Sequence, residues 1–298
     1  NNPFLAGNPS VLFNQLNEGN INLKPETSKT AEVGIVFQPE YVPGFRASAD
    51  YYHIDVTNII ASLTVQQVIN LCYDGNKAYC GQDVIQTVGA VPVQSGGTIV
   101  SVASQVFNLA SAVTDGLDLE SSYQFNLNKW NVPGNFAIRG LATKVYKFIE
   151  NPGVPGQPTL SLAGALGQYS TSTTYNATGG TIPTWKTFYT EEYSNTWGTF
   201  SVMQRWFNAG TFANNYIVCQ APNCPVPTVA NPTINYNHMP GAIYWDAYLS
   251  YNISERGEVY GKVNNIANLG PPPSGGGVNG TIYDVIGRMY YVGLRFHL

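Results

Sequence analysis

The chain has 298 residues, 14 basic and 18 acidic side chains, a formal net charge of −4, and only 11% charged residues. A soluble globular domain carries about 25% charged residues, yet apolar content here is an ordinary 44%, so Asn, Thr, Ser, Gln and Tyr have taken the place of charge. That balance disfavours a helical bundle, a coiled coil and a charge-rich disordered tail. The mild acidity speaks against a nucleic-acid partner, which requires a basic stripe.

No run of about 20 apolar residues is present, so a membrane-spanning helix is not expected. The residues from Asn1 lack the basic start and apolar core of a signal peptide. Either processing has removed a signal, or the chain begins inside something larger.

Taken in chain order, period-two alternation predicts nine strands, at 31–39, 44–60, 97–127, 134–149, 184–193, 196–208, 241–252, 256–266 and 287–298. The clearest lies in Gly116–Leu127. There Leu117, Leu119, Ser121, Tyr123, Phe125 and Leu127 alternate with Asp118, Glu120, Ser122, Gln124 and Asn126. One face is apolar and the other polar, the signature of a strand between two unlike media. Short connections at Glu40–Pro43, Asn128–Pro133, Ser194–Asn195 and Ile253–Glu255 alternate with long ones at 61–96, 150–183, 208–241 and 267–286. In an up-and-down antiparallel sheet every second connection lies at the same end. One end is therefore trimmed and the other elaborated, as in an outer-membrane barrel. Strands of 15 residues or so also exceed the usual 5–6 of a soluble β-sandwich, the competing all-β reading. Aromatics gather near the short turns (Tyr41, Phe45, Trp130, Phe136, Tyr193, Trp197 and Phe296), as befits a membrane interface.

Four cysteines form two close pairs, Cys72/Cys80 and Cys219/Cys224. Neither pair has CxxC spacing or a histidine placed for a metal site. Two loop-stapling disulfides in an oxidising compartment are expected, the alternative being four free buried thiols.

Five segments resemble the C-terminal part of TonB-dependent outer-membrane receptors. These are NLKPETSKTAEVGIVF (Asn22–Phe37), FRASADYYHIDVTNII (Phe45–Ile60), Asn108 followed by GLDLESSY within Phe107–Tyr123, KVNNIANLGPP (Lys262–Pro272) and YDVIGRMYYVGLRFHL (Tyr283–Leu298). Two departures stand out. The family's Asn-Leu-Phe-Asn run appears as Asn265-Ile266-Ala267-Asn268, and the chain ends in Leu298 with its last aromatic at Phe296. The resemblance implies an all-β, antiparallel up-and-down transmembrane β-barrel of 22 strands around an N-terminal plug. Residues 1–298 would supply about nine C-terminal strands, with the plug and the earlier strands absent. It also implies a bacterial outer-membrane location in contact with lipid. A small-molecule nutrient would be imported with energy from the TonB–ExbB–ExbD complex, reached through the missing plug. A passive porin or adhesin barrel, and a soluble all-β binding module, are the competing classes.

No GxSxG, HExxH, P-loop or dinucleotide fingerprint occurs, and Glu191 and Glu192 must face opposite sides of a strand. The chain reads as a non-enzyme with no cofactor and no metal site. The loops at 150–183 and 208–241 carry one charge, Glu150, but hold Tyr169, Tyr175, Phe212, Asn214, Asn215, Tyr216 and Tyr236, with Trp206 just before the second. Aromatic faces and amides without charge suit a neutral polyhydroxylated ligand. An oligosaccharide bound by Trp206, Asn214, Asn215, Tyr216 and Tyr236 is the expectation. A ferric-siderophore or cobalamin receptor is the alternative within the family.

Overall fold

The computed structural model describes residues 1–154, 156–167, 182–228, 230–272 and 282–296. Among the described residues nine long strands make one sheet: β1 (Thr27–Phe37), β2 (Phe45–Ser62), β3 (Ile99–Asn126), β4 (Asn135–Asn151), β5 (Trp185–Asn195), β6 (Gly198–Phe207), β7 (Ala242–Ser254), β8 (Gly257–Asn264) and β9 (Met289–Phe296). Each pairs antiparallel with its neighbour in sequence, from β1 at one edge to β9 at the other. Short and long connections alternate as expected.

Strand ends differ from the sequence expectation by four residues at most. The turn between β5 and β6 falls at Thr196–Trp197, not Ser194–Asn195. The reason is local: Asn195 Oδ1 accepts the N–H groups of Trp197 (2.8 Å) and Gly198 (3.2 Å), an Asx turn that delays the reversal. His297 and Leu298, expected in the last strand, lie outside the described residues.

Register sorts the side chains onto two faces, because residues directly opposite across a ladder point the same way. One row runs Phe45–Tyr123–Ile138, and the next runs Phe125–Phe136–Tyr193–Phe200–Leu249. Ring contacts knit this belt together at the short-turn end, including Phe37–Phe45 at 6.3 Å and Phe125–Phe136 at 5.6 Å. Above the belt the same face carries Val33, Ile35, Tyr51, Leu117, Leu119, Trp245, Tyr290 and Val292. No second sheet or helix covers it among the described residues, and Val292 is 84% exposed. From Tyr251 to Ile243 the band spans about 20 Å at ~3.3 Å per residue and a tilt near 40°, close to the apolar height of an outer-membrane barrel.

The opposite face carries Arg46, Asp50, Asp118, Glu120, Arg139, Lys186, Glu192, Arg205, Asp246, Glu258, Lys262 and Arg295. Here ion pairs bridge adjacent strands: Arg139 to Glu120 at 2.8 Å and Arg295 to Glu258 at 3.3 Å. Tyr52 lies across Gly116 and Tyr260 across Gly293, in space that any side chain at those glycines would occupy. At the outer end of the apolar face, His53 pairs with Asp115.

β3 is 28 residues long, about 90 Å at ~3.3 Å per residue, whereas 9–11 residues cross a bilayer. Its first part stands clear of the wall. There it pairs in parallel with Asn14–Glu18 and antiparallel with Ile85–Thr87. The segment expected to be loop at 61–96 also contains a helix, α1 (Val65–Tyr73). Thr64 and Gln67 form a capping box at its start, a Thr-x-x-Gln signature visible in the sequence. Val68, Ile69 and Leu71 of the helix pack with Ile85, Ile99 and Val102 into a core outside the wall. Both disulfides form, Cys72–Cys80 within this cap and Cys219–Cys224 in the loop after β6.

A charge placed in the apolar band tests the assignment of faces. Val292→Lys in the completed barrel is expected to lower stability in lipid vesicles by about 2–4 kcal/mol, and Ser122→Lys on the polar face by less than ~1 kcal/mol. Urea unfolding followed by tryptophan fluorescence reads both; equal costs would contradict the assignment.

Candidate functional site

At the long-loop end, the polar face meets a second core. Phe207 and Tyr244, which project from β6 and β7 on that face, pack with Leu166, Phe212, Met239 and Tyr283 from the loops. Tyr283 Oη donates to the Pro240 carbonyl at 2.6 Å, and burial pushes its phenol up to about 12. The loops therefore fold over the polar side of the sheet and do not stand away from it.

Beneath them is a cleft of ≈ 710 Å³. Its walls include Phe188, Phe207 and Tyr244, with Leu141 and Thr143 from β4 and Ile182 and Ile282 from the loop feet. Two cations line it. Lys186 lies opposite Thr143 and Phe207 in the ladders, and no carboxylate among the described residues forms an ion pair with it. Arg205 sits over the Tyr244 ring at 5.2 Å and makes a two-point contact with Asp246, Nε to Oδ2 at 3.1 Å and Nη2 to Oδ1 at 3.2 Å.

Asp246 is also tied to the last long connection. The Asn265 N–H donates to Asp246 Oδ1 at 2.7 Å. Asn265 is wholly buried, and its Nδ2 donates to the Leu269 carbonyl (2.9 Å) and to Asp284 Oδ2 (3.1 Å). The Asp284 N–H donates back to Tyr244 Oη at 3.1 Å. Arg205, Asp246, Asn265, Asp284 and Tyr244 thus form a closed ring of contacts. Asn268 Oδ1 accepts the Arg288 N–H at 2.9 Å and fixes the second foot of that connection to the first.

The residues singled out from sequence take other places. Trp206 stands in the apolar row with Thr187 and Ile243 and is among the residues that line the cleft. Asn214 Nδ2 donates to the carbonyls of Ser161 and Ala163, both at 2.8 Å, and Thr211 Oγ1 donates to its Oδ1 at 2.6 Å. Asn215 Nδ2 donates to the Ala230 carbonyl at 3.0 Å, and its Oδ1 is enclosed without a partner. Tyr216 packs on Phe212 with ring centroids 5.7 Å apart, and Phe212 is buried in the loop core. Tyr236 is exposed and stacks edge-on with His238. Tyr169 and Tyr175 lie outside the described residues. The structure does not bring the five together on one surface of the cleft. Lys186, Arg205 and Asp246 went unread as site residues, although each sits on the polar face of an alternating strand near its loop end. Among the described residues, no group of three His, Cys, Asp or Glu side chains could hold a metal ion.

The sequence model of a family described as "TonB dependent receptor-like, beta-barrel" matches residues 2–266. No curated protein matches the chain. Among solved structures, the siderophore receptor PirA from Acinetobacter baumannii is similar at 14% identity and a TM-score of 0.54, over 94% of this chain and 33% of that one. The FrpB iron transporter from Neisseria meningitidis is similar at 11% identity and a TM-score of 0.53, over 94% and 32%. A mutant of the ferric enterobactin receptor PfeA from Pseudomonas aeruginosa, in complex with enterobactin, is similar at 16% identity and a TM-score of 0.52, over 94% and 32%. The chain spans about a third of the length of these structures.

Two changes probe the loop architecture. Asn265→Ala strands the Leu269 N–H and Asp284 and is expected to cost roughly 2–3 kcal/mol locally. It should speed hydrogen exchange at Leu269 and Arg288 while the wall strands keep their protection; unchanged exchange would contradict the ring. Cys219–Cys224 closes only a short loop in the unfolded chain, with its partners five positions apart, so reducing it should raise exchange in 217–228 and leave the circular-dichroism β-signal intact. Loss of that signal would show the staple holding the wall itself.

Proposed function

The chain belongs to the TonB-dependent receptor β-barrel family, and on that premise we propose that it forms the closing wall of a receptor that imports a scarce nutrient. Its setting is the bacterial outer membrane. Further strands and a plug complete the barrel on this reading, since among the described residues β1 and β9 each pair along one side alone and an unpaired strand edge cannot persist in hydrocarbon. The TonB–ExbB–ExbD complex supplies the energy, because an outer membrane holds neither ATP nor a potential. The wall takes no part in covalent chemistry; it binds, guides and releases.

The cargo is an anionic metal chelate of the ferric-siderophore kind. One observation carries this reading: the cleft under the loops combines an unpaired cation, Lys186, with the aromatic walls of Phe188, Phe207 and Tyr244. A charge-bearing chelate with planar ligand rings meets both needs, since a ring can stack on the aromatic walls and its anion is paired rather than stranded. Of the structural neighbours described above, PirA is named as a siderophore receptor, PfeA as a ferric enterobactin receptor and FrpB as an iron transporter. The oligosaccharide expected from sequence draws less support. Asn214 and Asn215 commit their amide donors inside the loops, and Phe212 belongs to the core.

Binding to the intact receptor separates the two. A ferric tris-catecholate is expected to bind, with Lys186→Gln weakening it about tenfold, the order of one charge-assisted contact. Tight binding of a malto-oligosaccharide, unaffected by Lys186→Gln, would overturn the chelate reading.

A further inference from the structure

We infer that Asp246 sets the charge selectivity of the cleft by offsetting the charge of Arg205 with its own, so that among the described residues Lys186 alone presents net positive charge to a ligand. The inference rests on reading the cleft as a chelate site and goes on to specify which chelates it accepts.

The argument begins with where the pair sits. Asp246 keeps only 4% of its side chain exposed, whereas Arg205 keeps 38%. The carboxylate is the fixed member, lodged in the wall, and the guanidinium is the face it turns to the cleft. A buried carboxylate needs its full set of donors, and Asp246 has three: Nε and Nη2 of Arg205 and the Asn265 N–H. Nothing is left over to let Arg205 swing away without stranding that charge. A two-point Arg–carboxylate contact is also directional and holds the guanidinium plane in one pose, here over the Tyr244 ring with its central carbon 5.2 Å from the ring centroid.

A guanidinium so held offers an approaching ligand hydrogen-bond donors and a flat surface, with almost no net charge. A highly charged anion gains from Lys186 and is repelled by Asp246 nearly as much as Arg205 attracts it. A chelate with donors to satisfy and rings to stack gains from Arg205 whatever its own charge. The pair therefore acts as a filter. It limits what charge can gain: a ligand with charge on every side binds with little advantage over one of low net charge that carries one anionic group for Lys186. Asp246 works through Arg205 and touches no ligand; it is a positioning residue.

Selectivity between two probes of fixed charge tests this in the intact receptor. Ferric iron with three catecholates carries a net charge of −3, and with three hydroxamates it is neutral. Asp246→Asn keeps an oxygen for the Asn265 N–H but frees the charge of Arg205. It is expected to raise the ratio of tris-catecholate to tris-hydroxamate affinity on the order of tenfold or more, as one unit charge within ~10 Å does at an effective dielectric near 20. The double change Arg205→Gln with Asp246→Asn removes both charges at once and should leave the wild-type ratio within about threefold. A purely structural role for Asp246 would weaken both probes alike and leave the ratio unmoved. An unchanged ratio in Asp246→Asn, or a tenfold fall in the double variant, would overturn the inference. If neither probe binds the unaltered receptor, the chelate reading itself fails, an outcome distinct from either.

Discussion

The structure depends on one constraint: a polypeptide crossing hydrocarbon must satisfy every backbone N–H and C=O within itself. A sheet meets it by a continuous ladder, and β1 to β9 form one, strand to neighbouring strand, with register shifts between Val56 and Ile60, at Asp115/Gly116 and between Asn252 and Ser254. Once the ladder is fixed, side-chain orientation is no longer free. Residues alternate between lipid and interior, and the register carries each row across the wall. The belt from Phe125 through Phe136 and Tyr193 to Phe200 is a consequence, as is the confinement of Arg139, Glu120, Arg295 and Glu258 to the other face.

The same constraint explains the division of labour along the strands. Near the short turns the wall needs only a membrane, and its connections shrink to a few residues. At the other end the strands outrun the bilayer and the chain is free to build. There it makes cores of an ordinary globular kind. One is nucleated by α1 and closed by Cys72–Cys80; the other joins loop side chains to Phe207 and Tyr244. The cleft exists because the second core rests on the polar face and roofs it over.

How much of this the amino-acid sequence discloses follows from the range of the interactions. The wall strands are legible because alternation is local: Leu117 against Asp118 and Leu119 against Glu120 declare two media within four residues. The disulfides are legible because their partners lie close in sequence. The helix at Val65–Tyr73 carries its capping box in plain view, but its nine residues are too few for a helical period to declare it. The site is another matter. Arg205 and Asp246 are 41 residues apart and Asn265 another 19, and nothing local says that register will set them side by side. Loop composition misleads for a related reason. Asn-rich, charge-poor loops resemble a sugar-binding surface, but Asn214 and Asn215 bind their own backbone, which is what short amides do in loops without regular structure. Trp206 and its neighbour Arg205 both line the cleft, although alternation sets them on opposite faces of the strand, and local pattern marks the aromatic more readily than the cation.

The account stands or falls on which face meets lipid. Nitroxide labels at Val33, Leu249 and Val292, and at Ser48, Ser122 and Ser201, in the completed receptor reconstituted into vesicles, give the direct measurement through collision with dissolved oxygen or a water-soluble nickel chelate. The first three should respond to oxygen and be shielded from nickel, and the second three should show no such preference for oxygen. Nickel access at Val33, Leu249 and Val292 equal to that at the serines would contradict the two-faced wall and everything built on it.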